Sequence, residues 1–171
     1  MKILVFSDSH QRSQYMREAI EKHLDAGGID CIFYLGDGVK DLERLSLAIP
    51  VCYVDGNYEE YVTSYLNRGS LRPEITIDLY GFRFFLTHGH RYGVKGGLDP
   101  LIAAAKSKNA DVLLFGHTHE CYYSYLPPED DETHGLYILN PGSISKPRDG
   151  SFSYAVISIE GKNILFSHGT I

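Results

Sequence analysis

The 171-residue sequence is poor in cysteine: Cys31, Cys52 and Cys121 stand alone, with no C-x-x-C pair among them. That spacing excludes a disulfide framework, and the three read as reduced packing residues. Long apolar runs are missing too, since none approaches the ~20 residues that a membrane span needs. The apolar run in Met1-Lys2-Ile3-Leu4-Val5-Phe6-Ser7-Asp8 is too short for the core of a signal peptide. A cytoplasmic protein without membrane contact is therefore expected. Basic charge is also in short supply. Sixteen Lys and Arg face 22 Asp and Glu, giving a net charge of −6 and a pI near 5.7. Such a balance argues against a broad nucleic-acid surface. It leaves room for a small anionic substrate, because bound cations can reverse the local sign. Repeats and low-complexity segments are absent. With 43% hydrophobic and 22% charged residues, the chain has the composition of a globular protein, and its length fits a single domain over residues 1–171.

What is present is a series of apolar strands that each stop at a polar loop. Lys2 to Phe6 reads as a buried strand followed by Ser7-Asp8-Ser9-His10. A helix is predicted from about Ser13 to Ala26, with Met16, Ala19, Ile20 and Leu24 on its apolar face and Gly27-Gly28 as the stop. Cys31 to Leu35 forms a second strand, parallel to the first by the strand-helix-strand order, and ends in Gly36-Asp37-Gly38. A short helix from about Val39 to Ala48 closes at Pro50. Strand three, Val51 to Val54, ends in Asp55-Gly56-Asn57-Tyr58-Glu59. Tyr58, Tyr61 and Tyr65 then recur at helical spacing, which predicts packing.

Glu74–Leu79 and Phe82–Thr87 read as strands around Tyr80-Gly81, the second leading into His88-Gly89-His90. Asp99-Pro100 looks like an N-cap followed by proline at the first helical position, with Leu101, Ile102 and Ala105 as the buried stripe of a helix ending near Asn109. Val112-Leu113-Leu114-Phe115 shows no alternation, as expected of a strand covered on both faces, and breaks at Gly116 to deliver His117 and His119. Cys121–Leu126 and Gly135–Leu139 read as antiparallel strands joined by a solvated acidic loop that includes Glu129 to Glu132. Asn140-Pro141-Gly142-Ser143 reads as a tight turn. Ser153–Ile159 and Asn163–Ser167 form a hairpin around Glu160-Gly161-Lys162.

Strand ends are where open α/β sheets bind ligands. Collected, the polar strand-end residues are Asp8, His10, Asp37, Asn57, His88, His117 and His119. Mixed imidazole, carboxylate and amide donors suit divalent ions such as Mn²⁺, Fe²⁺, Ni²⁺ or Zn²⁺, with manganese preferred here. The lack of thiolates speaks against a structural zinc site.

The ordered blocks Asp8-x-His10, Gly36-Asp37, Gly56-Asn57, His88 and Gly116-His117-x-His119 resemble the calcineurin-like metallophosphoesterase superfamily. Thr87-His88-Gly89-His90 and Asn140-Pro141-Gly142-Ser143 bring the likeness nearest to its small bacterial and archaeal stand-alone phosphodiesterases. The resemblance implies an α/β fold, a two-sheet β-sandwich flanked by helices in αββα layers. It implies one cation held by Asp8, His10, Asp37 and His119, and another by Asp37, Asn57, His88 and His117, with Asp37 bridging. A water activated between two such ions would attack phosphorus in line with the leaving oxygen of a small phosphodiester.

Monoesterase members carry histidine where this chain has Tyr58, and a tyrosine is the weaker proton donor near neutral pH. A diesterase preferring good leaving groups is the expectation, with a phosphomonoesterase as the alternative. Tyr58 reads either as a residue lining the substrate pocket or as a packed loop aromatic. His90 is placed behind the ligands as a supporting residue, so the catalytic candidates are Asp37, Asn57, His88, Tyr58 and His90. His23, His134 and His168 are assigned surface or packing roles, and Ser7 and Gly38 loop-shaping ones. The same fold resembles the retromer scaffold subunit, a protein-binding module with a degraded site, but all seven ligand positions are intact here. Larger nuclease relatives carry extra domains and a basic path that this chain lacks. The tyrosine-rich edge at Tyr122, Tyr123, Tyr125 and Tyr137 could serve a homo-oligomer.

Overall fold

The computed structural model describes residues 1–66, 69–129 and 134–171. Two mixed five-stranded sheets face each other. The first contains β1 (Lys2–Phe6), β2 (Cys31–Tyr34), β3 (Val51–Tyr53), β9 (Ser153–Glu160) and β10 (Asn163–Thr170), in the order β10-β9-β1-β2-β3. The second contains β4 (Glu74–Leu79), β5 (Phe82–Thr87), β6 (Val112–Leu114), β7 (Cys121–Leu126) and β8 (Leu136–Pro141), in the order β4-β5-β6-β8-β7. The helices are α1 (Ser13–Asp25), α2 (Lys40–Leu45), α3 (Asn57–Leu66) and α4 (Asp99–Ser107), with one 3₁₀ turn at His90–Tyr92.

The two-residue period of a strand distributes the core. Ile3 and Val5 point between the sheets, where they meet Phe33, Phe84, Val112, Leu114 and Ile157. Leu4 and Phe6 point the other way, onto Met16, Ala19 and Ile20 of α1 and Leu45 of α2. In the second sheet Leu113, Phe85 and Ile138 pack on Leu101 and Ala105 of α4. Each central strand is thus covered on both faces, which is why β1 and β6 read as unbroken apolar runs rather than alternating ones. The layers are αββα, as expected. Strands β1, β2 and β3 run parallel, as do β5, β6 and β8, so the carboxyl ends within each of these runs lie along one edge of their sheet.

Several sequence readings need correction. Leu24 is exposed, because α1 is buried only through Met16, Ala19 and Ile20. Helix α4 begins one residue earlier than read. Leu98 is its N-cap, Asp99 lies inside its first turn, and no side chain caps it. Asn140 and Pro141 continue β8 rather than forming a turn; only Gly142, at φ 78°, turns the chain. Tyr58, Tyr61 and Tyr65 do not pack into the core. Helix α3 buries none of its residues, and Tyr61 and Tyr65 are 69% and 79% exposed, stacked on each other. Cys121 is an exposed thiol, while Cys31 and Cys52 are half-buried, and all three are free. Of the acidic loop, Asp130, Asp131 and Glu132 lie outside the described residues, and Glu129 accepts a hydrogen bond from Lys106. No helix among the described residues is long and apolar enough to cross a membrane.

Candidate metal centre

The loops leaving β1, β2, β3, β5 and β6 converge where the two sheets meet. Ligand atoms of Asp8, His10 and His119 lie within 4.8 Å of one another, and so do those of Asp8, Asp37 and His88. Asp8 belongs to both groups and is fully buried. Its two oxygens have different fates. Oδ2 accepts from the Ser7 hydroxyl at 2.6 Å and from the His117 backbone N–H at 3.2 Å. Among the described residues Oδ1 has no hydrogen-bond donor, yet it faces Nε2 of His119 at 3.1 Å and Nε2 of both His10 and His88 at 3.9 Å. A buried carboxylate oxygen left without a donor is costly. One that looks at three imidazole nitrogens has the surroundings of a cation ligand, so these residues fit divalent metal.

The imidazoles are oriented from behind. Nδ1 of His88 lies 2.6 Å from the Leu35 carbonyl and Nδ1 of His119 lies 2.7 Å from the Lys146 carbonyl. A carbonyl only accepts, so each Nδ1 carries the proton and each Nε2 is turned to the centre, the arrangement of metal-binding histidines. Burial alone would lower the proton affinity of His88, but Asp8 and Asp37 outweigh it and raise it. The Asp8 carboxylate beside Nε2 raises that of His119. Burial and the neighbouring His88 push His117 down to about 4, and burial lowers His10. Burial works against the charge of Asp37, yet the adjacent His88 ring and the hydrogen bond from the Tyr58 backbone N–H hold its carboxyl below the ordinary range. Asp8 is likewise lowered against its burial, by His88, His119 and Ser7.

Asp37 Oδ1 lies 3.6 Å from His88 Nε2 and accepts the Tyr58 backbone N–H at 2.8 Å. Asn57, the first residue of α3, places Oδ1 3.2 Å from His88 Nε2. His117 stacks edge-on to His88 with ring centroids 5.0 Å apart and falls outside both compact groups. His90 Nε2 donates to the Glu60 carboxylate at 2.6 Å, its ring 5.3 Å from that of His88, with Nδ1 buried and without a partner among the described residues. Tyr58 sits at the rim, 41% exposed, its hydroxyl accepting from the Gln11 amide at 3.3 Å. The remaining histidines stay apart from the centre: His23 meets the Tyr154 hydroxyl, His134 meets Asp111, and His168 meets the Asn140 carbonyl.

Backbone strain is concentrated at the ligands. Asp8, His10, Asp37, His117 and His119 all have φ between 44° and 69°, and Gln11 joins them at 69°. Left-handed backbone at non-glycine residues costs about 1–3 kcal/mol each and persists only where the surroundings enforce it. The enforcing contacts come from residues to which sequence reasoning gave no such role. Glu59, in the first turn of α3, accepts the backbone N–H groups of Asp37, Gly38, Val39 and Gly56 at 2.8–3.1 Å. One carboxylate therefore ties the β2 loop to the β3 loop. Ser143 and Ser145 both donate to the Asp8 carbonyl, at 2.9 and 3.0 Å. The Asn140 amide donates to the Gly116 carbonyl and the Thr118 hydroxyl, at 3.1 and 3.0 Å. Two glycines keep room for this bracing. A Cβ on Gly56 would strike the Asp37 carboxylate, and one on Gly116 would strike the Ser7 hydroxyl. Spacing alone hints at Glu59, which follows Asn57 by two in a helix start; nothing in the sequence points to Ser143 or Ser145 as partners of Asp8.

The family profile described as the calcineurin-like phosphoesterase superfamily domain matches residues 1–162. A phosphodiesterase of Methanocaldococcus jannaschii is 27% identical over 172 residues, covering 95% of this chain and 95% of its own. Among solved structures, a predicted phosphoesterase of Streptococcus pneumoniae superposes with a TM-score of 0.74 at 25% identity, covering 99% of this chain and 88% of that one. The zinc complex of Vps29 from Entamoeba histolytica superposes with a TM-score of 0.67 at 20% identity over 99% of each chain, which is a likeness of fold.

Proposed function

Because this chain belongs to the calcineurin-like phosphoesterase superfamily and is a metal-dependent phosphoric ester hydrolase, we propose that it cleaves small phosphodiesters with two divalent cations, manganese preferred. The observation that carries the reading is Asp8 Oδ1, buried, without a donor, and faced by His10, His88 and His119. Asp8, His10 and His119 would hold one cation and His88, Asn57 and His117 the other, with Asp37 between them. When bound, such a pair supplies an activated water and neutralises the charge on phosphoryl oxygens.

The chain's own residues do the positioning. Ser7 and the His117 N–H fix one oxygen of Asp8 and leave the other free to ligate. The Leu35 and Lys146 carbonyls hold His88 and His119 in the ligating tautomer. Glu59 keeps Asp37 and Asn57 in register across two loops. Burial of Asp8, Asp37 and His88 keeps bulk water from these three ligands, where electrostatic attraction is strongest. Tyr58, in place of a histidine, leaves the rim without a ready proton donor, which favours diesters whose leaving group departs as a stable anion. His90 braces the site through Glu60.

The test is hydrolysis of bis-p-nitrophenyl phosphate and p-nitrophenyl phosphate by protein loaded with Mn²⁺, Ni²⁺, Fe²⁺ or Zn²⁺, with Asp37→Asn as control. Diester cleavage above monoester cleavage, lost in Asp37→Asn, supports the reading. No cleavage with any cation sinks it, and a monoester preference would replace it with the phosphatase alternative.

A further inference from the structure

A cavity of about 360 Å³ opens beside the metal centre, walled by Gln11, Gly38 and Tyr58. Each of these directly follows a candidate ligand: His10, Asp37 and Asn57. The cavity and the centre therefore share backbone, and a phosphoryl group at the ligands would project one of its ester arms into this space.

The chemistry of the walls selects the arm. Val39, Val62 and Leu71 supply apolar surface. Tyr58 supplies a ring held at both ends, by its N–H on Asp37 Oδ1 and by its hydroxyl on the Gln11 amide. A fixed, half-exposed aromatic face is a platform for a planar ring. The acidic wall residues are already spent. Glu59 accepts four backbone N–H groups, and Asp41 accepts from Ser9, Gln11 and Arg44. Asp55 uses Oδ2 on the Arg72 N–H and, with Thr63 and Ser70, lines the cavity, so that these three side chains offer oxygens to ring or sugar donors. Lys40 adds positive charge at the rim. The volume lies at the low end for small-molecule sites, enough for one ring with its sugar and too little for a polymer.

Resting on the diesterase reading above, we infer that this cavity binds a nucleoside arm of the substrate, its base stacked on Tyr58 and its polar edge on Asp55, Thr63 and Ser70. The substrate class is then a nucleotide diester rather than a glycerol or alkyl diester, whose flexible aliphatic arm leaves the tyrosine face uncovered.

The experiment compares kcat/KM for the p-nitrophenyl ester of thymidine 5′-monophosphate with that for methyl p-nitrophenyl phosphate, using Mn²⁺-loaded protein. Both lose the same leaving group, so their ratio reports the second arm. The expected ratio is roughly tenfold or more in favour of the thymidine ester. It should fall toward one in Thr63→Trp, which fills the cavity from α3, and in Tyr58→Leu. Saturation-transfer NMR of thymidine with metal-free protein should show contact at the base protons in wild type and none in Thr63→Trp, with melting temperatures confirming that the variants fold. A wild-type ratio near one, or a ratio and an NMR signal untouched by Thr63→Trp, overturns the inference. If neither diester is cleaved with any cation, the diesterase reading fails, while the thymidine NMR still decides the cavity.

Discussion

The loops at residues 7–10, 36–38 and 116–119 and the helix α3 both border the same centre, but they are built in opposite ways. The loops combine buried residues with backbone strain, and they are braced by Ser7, Asn140, Ser143, Ser145 and Glu59. Helix α3 buries nothing and shows three tyrosines to solvent. The difference separates two tasks. Ligand geometry is over-determined by the core, so that strained φ values hold, whereas the wall that meets a substrate arm is anchored at one end, through Asn57 and Glu59, and is free to vary along the rest.

Changes in the loops should therefore be severe. Replacing Asp8 by Ala removes the oxygen common to both ligand groups, and loss of several kcal/mol of charge stabilisation corresponds to a kcat/KM lower by roughly 1000-fold or more. Assay against bis-p-nitrophenyl phosphate checks it; a change under tenfold would place the chemistry elsewhere. Next in size is Glu59→Ala, which strands four backbone donors. Its expected cost is about 3 kcal/mol in urea unfolding, with Mn²⁺ affinity lower by roughly 10–100-fold. That result would show α3 to be part of the rigid region at its first turn only.

Proton competition sharpens the same contrast. His119 has raised proton affinity through Asp8, so in metal-free protein its contribution is fully present below the unfolded imidazole value of about 6.5 and is lost as pH rises through the higher folded value. The stability difference between wild type and His119→Ala, followed by urea unfolding, should accordingly shrink on going to alkaline pH. Cations displace those protons, so Mn²⁺ affinity should weaken as pH falls. Smallest of all are changes on the outer part of α3. Tyr61→Ser and Tyr65→Ser should shift stability by no more than about 0.5 kcal/mol and leave metal binding as it was; a larger loss would mean that the exposed tyrosines are anchored after all.

The same contrast governs what the sequence disclosed. Strands such as Val112–Leu114 were legible because burial on both faces demands an unbroken apolar run, and the candidate ligands were legible because each follows such a run at a strand end. The αββα layering followed from the resemblance. Tyr58, Tyr61 and Tyr65 misled because helical spacing records periodicity and not what lies opposite, and no element among the described residues buries α3. Asp99 misled because a good capping residue one step inside a helix looks the same as a cap. The bracing contacts were hidden for a different reason: Ser143 and Asp8 are 135 residues apart, and no local pattern announces a hydroxyl aimed at a distant carbonyl.

The central claim is that one centre holds two cations, with His88 and His119 serving different ones. Titrating Mn²⁺ into wild-type, His88→Ala and His119→Ala protein, with stoichiometry and spin coupling read by electron paramagnetic resonance, tests it directly. Two coupled ions per chain in wild type and a single uncoupled ion in each variant are expected. One ion in wild type, or loss of both ions from either variant, would contradict the account.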